Sequence, residues 1–219
     1  MNFPYWQEFL SLALVHFLIV VSPGPDFAVT VRQSLRHGRR AGLFTALGIG
    51  MGISVHVIYT LIGVSALMHT TPWMMEVARY LGAAYILWLG INFIKGSASP
   101  APAKVPSAPI DVQTQVQTTG ASAKSAFFMG FLTNATNPKA MLFFLAMFTT
   151  IVSEATPLGV KLFYGGWMCM VNALWFMAVA LFFSNARLRA AFLAHSRSID
   201  RVMGVLLILF AAKLLFSSF

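Results

Sequence analysis

Six apolar segments, each long enough to cross a lipid bilayer, dominate this sequence of 219 residues. A membrane-spanning helix needs about 20 mostly apolar residues. Only 10% of the residues are charged, against about 25% in soluble domains. The sequence therefore predicts an all-α, polytopic membrane protein, and it excludes a soluble enzyme or a nucleic-acid binder despite a net charge of +9. The predicted spans cover roughly residues 5–31, 41–68, 73–95, 126–152, 160–184 and 202–219.

Basic residues are concentrated in three of the five loops between these spans. Those loops hold eleven of the fifteen Lys and Arg residues, whereas the alternate loops hold almost none. By the positive-inside rule the basic loops face the cytoplasm, and both termini then lie on the outer side. The basic residues in question are Arg32, Arg36, Arg39 and Arg40, then Lys95, Lys104 and Lys124, then Arg187, Arg189, Arg197 and Arg201.

A segment of different composition, residues 97–124, divides the chain into two sets of three spans. It is rich in Ala, Ser, Pro, Gln and Thr, which predicts a flexible cytoplasmic linker. Residues 1–96 and 125–219 would then form two three-helix repeats of opposite orientation. This is the arrangement of transporters with inverted repeats.

The first span of each half is interrupted by proline. In the first span, Pro23 and Pro25 lack a backbone N–H, and Gly24 between them lets the chain unwind. In the fourth span, Pro138 leaves the carbonyl of Asn134 without its helical donor.

Each break also carries residues that suit the start of a new half-helix. Asn137 suits an N-cap, with Pro138 at the first helical position. We expect Ser22 and Pro23 to play the same two parts in the first span.

Unpaired backbone at membrane depth is tolerated where it is buried in protein or lines a cavity. The positive N-terminus of a half-helix suits a carboxylate, and freed carbonyl groups suit an ammonium group. Together they favour a zwitterion. Prolines also kink membrane helices merely for packing, but two breaks at corresponding positions indicate a binding site.

Two charged side chains follow directly on the breaks. Asp26 is the only acidic residue well inside a predicted span, and Lys139 is the only basic residue near the middle of one. Because such residues are costly in a membrane, they are functional candidates by default. The alternative is an ion pair that only ties the two halves together, and a pair that opens for substrate fits both interpretations.

Other polar residues in the spans are weaker candidates. His16 and His56 suit a proton relay, but interhelical hydrogen bonds are the commoner use of such histidines. Asn172 and Trp175 in the fifth span are candidates to line a cavity.

Three motifs carry a resemblance to a known family. "SPGPDF" at the first break, "GAAYILWLG" in the third span and "GFLTNATNPKA" in the fourth resemble the LysE/Rht family of bacterial amino-acid exporters, threonine/homoserine exporters above all. The resemblance covers essentially the whole chain. It implies a multi-pass inner-membrane exporter of amino acids, with threonine, homoserine or other small neutral amino acids favoured and proton antiport as the driving process.

The resemblance also places the site. It implies substrate binding at the two motifs, and no enzymatic activity or cofactor is expected. Asp26, as an acid inside the membrane beside a break, is also the candidate for proton coupling. Expected partners are the amino acid, protons and the lipid bilayer, and a homo-oligomer is left open. The predicted substrate-binding residues are Ser22, Pro23, Gly24, Pro25, Asp26, Asn134, Asn137, Pro138 and Lys139.

Three other functions are alternatives to the export of amino acids. Efflux of metal ions or other small toxic solutes is the main alternative, although the five histidines are dispersed along the chain. A thiol-pair oxidoreductase is excluded because Cys169 is the only cysteine. An intramembrane hydrolase lacks a GxSG motif or a Ser–His pairing.

Overall fold

The computed structural model describes residues 5–70, 72–98, 122–183 and 185–216, and these residues form helices and no strands. This confirms the all-α class. Of the predicted linker, residues 99–121 lie outside the described residues. The seven helices are α1 (Trp6–Val21), α2 (Pro25–Thr70), α3 (Pro72–Ala98), α4 (Ala123–Ala135), α5 (Pro138–Thr150), α6 (Leu158–Phe182) and α7 (Ala186–Phe216).

The helices have the composition of a membrane protein. Three stretches are long and apolar enough to cross a bilayer, namely Pro25–Gly63, Glu76–Gly96 and Leu158–Phe182. Trp6–Val21 and Pro138–Thr150 are shorter apolar helices. Large apolar side chains such as Ile62, Leu81 and Leu209 are more than 60% exposed, which is the surface expected of helices that face lipid.

Both predicted helix breaks are present. The first predicted span consists of α1 and the first part of α2, separated by residues 22–24, and the fourth consists of α4 and α5. Within α2 the chain turns at Gly38, whose φ of +83° is in the region that favours glycine. Six spans arranged as two inverted repeats remain a prediction.

The last helix starts much earlier than predicted. The sequence placed the sixth span at 202–219, whereas α7 begins at Ala186 and continues without interruption to Phe216. Residues 186–201 are polar and basic enough to resemble a loop. They are helical here because hydropathy marks only the membrane-embedded part of a helix and says nothing about where the helix begins.

Contacts between elements define two ends of the helix bundle. At one end Thr45, soon after the turn at Gly38, donates a hydrogen bond from Oγ1 to the carbonyl of Ala126 in α4 (3.1 Å). At the other end the carboxylate of Glu8 accepts a hydrogen bond from the Thr156 hydroxyl (3.0 Å). The arginines at positions 36–40 and 187–189 lie at the end that contains Thr45 and Ala126. We call this end the basic end.

Most of the helix packing joins the first half of the chain to the second. The helix α2 packs against α4 and α6, and α3 packs against α5 and α7, whereas α2 and α3 touch each other much less. The two halves therefore interleave, and they do not form two separate three-helix bundles.

Small residues allow the closest of these contacts. Gly48 and Gly52 have GxxxG spacing, which favours close helix approach. A Cβ atom on Gly48 would lie 2.0 Å from the carbonyl oxygen of Phe127 in α4, and one on Gly130 would lie 2.0 Å from that of Thr45. The backbones of α2 and α4 are thus in direct contact, as the spacing predicts.

We expect Gly48→Ala to destabilise the fold, because the new methyl group would overlap a backbone atom that cannot rotate away. Overpacking of this kind costs at least about 1–3 kcal/mol of the free energy of unfolding. Thermal unfolding of the purified protein in detergent should show a lower Tm. Gly63→Ala is the matched control, because no atom lies within 4 Å of its new Cβ. Equal Tm values for the two variants would contradict the packing described.

Candidate functional site

The break between α1 and α2 follows from two X-Pro dipeptides. A proline disfavours helical backbone in the residue before it, and Ser22 accordingly adopts an extended conformation with ψ of 131° after Val21 ends α1. The next helix begins at Pro25, and the Ala28 amide donates to the Gly24 carbonyl (2.9 Å). The prediction that Ser22 and Pro23 begin this helix is therefore wrong, since Gly24 and Pro25 hold those two positions.

The break between α4 and α5 has the predicted geometry. Asn137 is extended (φ −75°, ψ 109°), and its side-chain oxygen accepts a hydrogen bond from the Lys139 amide (3.1 Å). Pro138 occupies the first helical position, where the missing N–H costs nothing. The N-cap and the first-turn proline predicted for the fourth span are both confirmed.

Asn134 connects the two breaks. Its side-chain amide donates to Oδ2 of Asp26 (2.9 Å), across 108 residues of sequence. Its backbone carbonyl, which Pro138 deprives of a helical donor, accepts from the Asn137 amide (2.9 Å) and from Nε2 of His56 (2.9 Å). The side chain is 1% exposed, and the carbonyl freed by proline is satisfied from two sides.

Gly52 leaves the room that Asn134 needs. A Cβ atom at Gly52 would lie 2.8 Å from Oδ1 of Asn134 and 2.9 Å from its Cβ. The helix contact that begins at Gly48 thus continues to the site and holds the Asn134 side chain against the first break.

Lys139 lies between two acidic residues without a direct salt bridge to either. Among the described residues, the one salt bridge joins Arg79 to Glu154 at the end opposite the basic end. The charge of Lys139 interacts electrostatically with Asp200 and with Asp26, and its Nζ lies 4.6 Å from the centre of the Phe93 ring. An ammonium held by an aromatic ring and by charges at longer range remains able to bind an anion.

A cavity of about 60 Å³ lies where the breaks meet. It contains seven of the nine predicted site residues; Pro23 and Pro138 do not line it. The volume accommodates a few water molecules. The lining consists of His16, Ile19, Val20, Ser22, Gly24, Pro25, Asp26, Phe27, Ile53, Asn134, Asn137, Lys139, Ala140, Phe143, Phe144, Asn172 and Phe176.

Three of the lining residues carry a buried polar atom that has no hydrogen-bond partner among the residues that the structure describes. These atoms are Oδ1 of Asp26, Oδ1 of Asn134 and Nδ1 of His16. Leaving a buried donor or acceptor unpaired costs about 1–3 kcal/mol. Such a cluster around one cavity is expected where a ligand supplies the missing partners.

The structure also gives the partners of the weaker candidates. His16 bonds Asn172 (2.8 Å) and His56 bonds the Asn134 carbonyl, which confirms that both histidines make interhelical hydrogen bonds. Asn172 lines the cavity as expected. Trp175 is not among the lining residues, and its ring packs edge-on against Phe17 (6.3 Å).

Two kinds of residue near the site were missed from the sequence. Asp200 was assigned to a loop because α7 was expected to begin at 202, yet it is half-buried and interacts with Lys139. Its Oδ1 atom is buried and unpaired. The aromatic residues Phe143, Phe144 and Phe176 form apolar walls of the cavity. Many other phenylalanines of the chain have equally apolar neighbours in the sequence, so no signal singles out these three. For Asp200 the sequence offered one signal, namely an acidic residue that stands among basic ones.

The lining thus includes the Asp26 carboxylate, the Asn134 amide and Lys139 in the first turn of α5. The Lys139 amide is already used by Asn137, and Pro138 has no N–H. The positive charge available to a ligand therefore comes mainly from the Lys139 ammonium and the helix dipole. A polar cavity between two broken helices of a membrane protein is typical of secondary transporters, which is the class that fold and site indicate.

The family can now be stated. The chain belongs to the LysE-type translocator family, whose model matches residues 17–218. It is 25% identical over 209 residues to the threonine efflux protein of Escherichia coli K12, an alignment that covers 95% of this chain and 98% of the relative. No solved structure matches the chain.

A second relative is the homoserine/homoserine lactone efflux protein of Salmonella typhimurium LT2. It is 29% identical over 159 residues, which cover 72% of this chain and 69% of the relative. The resemblance inferred from the SPGPDF and NPK motifs is thereby confirmed at the level of the family.

We expect Asn137→Ala to lower the free energy of unfolding by about 0.5–2 kcal/mol, the usual cost of losing an N-cap. Asn137→Ser keeps an accepting oxygen and should retain most of the stability. Ser122 caps α4 at the basic end by accepting from the Ser125 amide (3.1 Å), so Ser122→Ala is the matched control. Because water can replace the exposed cap more easily, Ser122→Ala should lower the Tm less. A larger loss for Ser122→Ala would contradict the difference in exposure, since Ser122 is exposed and Asn137 is half-buried.

Proposed function

We propose that this protein exports amino acids from the cytoplasm across the inner membrane of a bacterium, in exchange for protons. The observation that carries the proposal is the cavity at the two helix breaks, whose lining includes both the acidic Asp26 and the basic Lys139. The names of the two efflux relatives support an amino acid as the solute. Threonine, homoserine and other small neutral amino acids are the favoured substrates.

In this proposal the two breaks recognise the two charges of the zwitterion. The substrate ammonium binds the unpaired Oδ1 atoms of Asp26 and Asn134, both of which accept hydrogen bonds. The substrate carboxylate binds Lys139 near the positive N-terminus of α5. The ammonium is thus bound at Asp26 in the first half of the chain and the carboxylate at Lys139 in the second half. Asn134 of the second half reaches across to Asp26.

Asp26 is the proposed proton carrier. Its Oδ2 atom is held by Asn134 while Oδ1 faces no protein partner, so the carboxylate is free to exchange a substrate ammonium for a proton. Binding of one excludes binding of the other at the same oxygen. That exclusion is the requirement for antiport through a single site.

The helix packing limits which motions could open the site in turn to the two sides of the membrane. A motion in which one half of the sequence rocks against the other would break the contacts of α2 with α4 and α6 and of α3 with α5 and α7. We therefore propose that the moving part is a segment next to the breaks, chiefly α1, which packs least against the other helices. The contact of α2 with α4 through Gly48 would stay fixed.

Efflux of metal ions is the alternative that the sequence left open. The cavity lining argues against it, because a cation would have to enter beside the ammonium of Lys139. The side-chain oxygens of Asp26 and Asn134 would suit a metal cation only if the ammonium of Lys139 were moved away.

We expect Asp26→Asn to abolish proton-coupled export and Lys139→Ala to reduce it at least tenfold. Both variants remove a charge that the substrate needs. The assay is release of amino acids from cells loaded with dipeptides of neutral, basic and acidic amino acids, with the amount of protein in the membrane measured alongside. Glu76→Gln removes an exposed carboxylate from α3 and is the matched control.

Different results would contradict different parts of the proposal. Unchanged export by Asp26→Asn would remove Asp26 from the mechanism. If wild-type cells release no amino acid faster than cells lacking the protein, the substrate assignment fails, and metal ions and small toxic solutes should be tested instead.

The proposed orientation puts the basic end in the cytoplasm and both termini in the periplasm. In a Cys169→Ser background, we expect Ala155→Cys to react with a membrane-impermeant maleimide in intact cells. Arg39→Cys should react only after the inner membrane is permeabilised. Both positions are exposed in the structure. The reverse pattern of labelling would show that the protein has the opposite orientation.

A further inference from the structure

A second polar group of the cavity is independent of the charged residues at the breaks. His16 of α1 and Asn172 of α6 are 1% and 3% exposed, and both line the cavity. Nδ2 of Asn172 lies 2.8 Å from Nε2 of His16. The zwitterion proposed above does not use this pair.

The hydrogen bonds of Asn172 fix which atoms donate. Its Nδ2 also lies 3.1 Å from the carbonyl oxygen of Met168, which can only accept. The atom is therefore the amide nitrogen, and its two hydrogens serve Met168 and His16. Nε2 of His16 must then accept, so in the neutral ring the proton is on Nδ1.

Nδ1 of His16 is thus a buried N–H donor, and it has no acceptor in the described part of the chain. The surroundings of the ring are apolar, with Phe144 at 6.1 Å and Trp167 at 5.6 Å between ring centres. An orphan donor in such surroundings calls for an acceptor that carries no charge of its own.

We propose that His16, held by Asn172, recognises a hydroxyl group on the side chain of the transported amino acid. The inference rests on the proposed export of amino acids and adds a specificity-determining residue to it. A hydroxyl oxygen accepts the Nδ1 proton, while the carbon atoms that carry it pack against Phe144. The charges of the substrate meanwhile remain at Asp26 and Lys139.

The alternatives for Nδ1 fit the cavity less well. The substrate carboxylate is expected at Lys139, where an opposite charge is available. A purely aliphatic side chain would leave the donor unpaired, and sites built to bond a hydroxyl discriminate strongly against analogues that lack it.

The test compares L-threonine with L-valine, in which a methyl group replaces the hydroxyl at nearly the same volume. Purified wild-type protein in liposomes should transport threonine about ten- to a hundredfold better than valine, as kcat/KM, because an unpaired buried donor costs about 1–3 kcal/mol. In His16→Phe, which keeps an aromatic ring but removes the donor, this ratio should fall close to one. Asn172→Leu should lower the ratio in the same direction, because it no longer holds the His16 ring.

The ratio is measured within each variant, so a general loss of folded protein does not change it. Asn172→Ala serves where Asn172→Leu is not folded: it adds no bulk and cannot donate to Nε2, so the ratio should again fall. A wild-type ratio near one would overturn the inference while leaving amino-acid export intact, and so would a wild-type ratio retained in His16→Phe. Absence of transport of both amino acids by the wild type would instead contradict the proposed function.

Discussion

The hydrogen bond from Asn134 to Asp26 joins the two interrupted helices on which the site depends. Prolines prevent α1 from continuing into α2 and α4 from continuing into α5. Two broken helices at membrane depth are tolerable only when their polar groups are satisfied inside the protein. Asn134 does part of this for both, since its side chain holds Asp26 while its backbone carbonyl accepts from His56 and Asn137. One oxygen each of Asp26 and Asn134 has no partner among the described residues.

The close contact of α2 with α4 keeps that hydrogen bond in place. Gly48, Gly52 and Gly130 remove the side chains that would otherwise separate the two backbones, and the same contact places Asn134 against Gly52. The cavity lies between two apolar clusters, one containing Phe143 and Phe144 and the other containing Phe176. A charged site is therefore enclosed by apolar walls, which strengthens electrostatic interactions with a bound substrate.

Local rules allowed much of the fold and site to be predicted from the sequence. Proline chemistry located both breaks, the N-cap rule identified Asn137, and the cost of charge in a membrane singled out Asp26 and Lys139. The misses have equally physical causes. The N-cap rule assigned the start of α2 to Ser22 and Pro23, whereas Gly24 and Pro25 hold those positions. Hydropathy did not reveal the polar start of α7 or the interaction of Asp200 with Lys139. The pairing of His16 with Asn172 depends on helix packing across 156 residues, which no local pattern encodes.

The central claim is that the cavity binds both charges of an amino acid at once, and it is tested most directly from the side of the ligand. Thermal unfolding of the purified wild-type protein should be measured with L-threonine, with threonine amide, which lacks the carboxylate, and with N-acetylthreonine, which lacks the ammonium. A ligand that binds the folded protein raises its Tm, and the rise is larger the higher the ligand concentration is relative to its Kd. We predict a rise with threonine and little or none with either analogue at the same concentration. An equal rise with an analogue that has lost one charge would contradict recognition of the zwitterion by the two helix breaks.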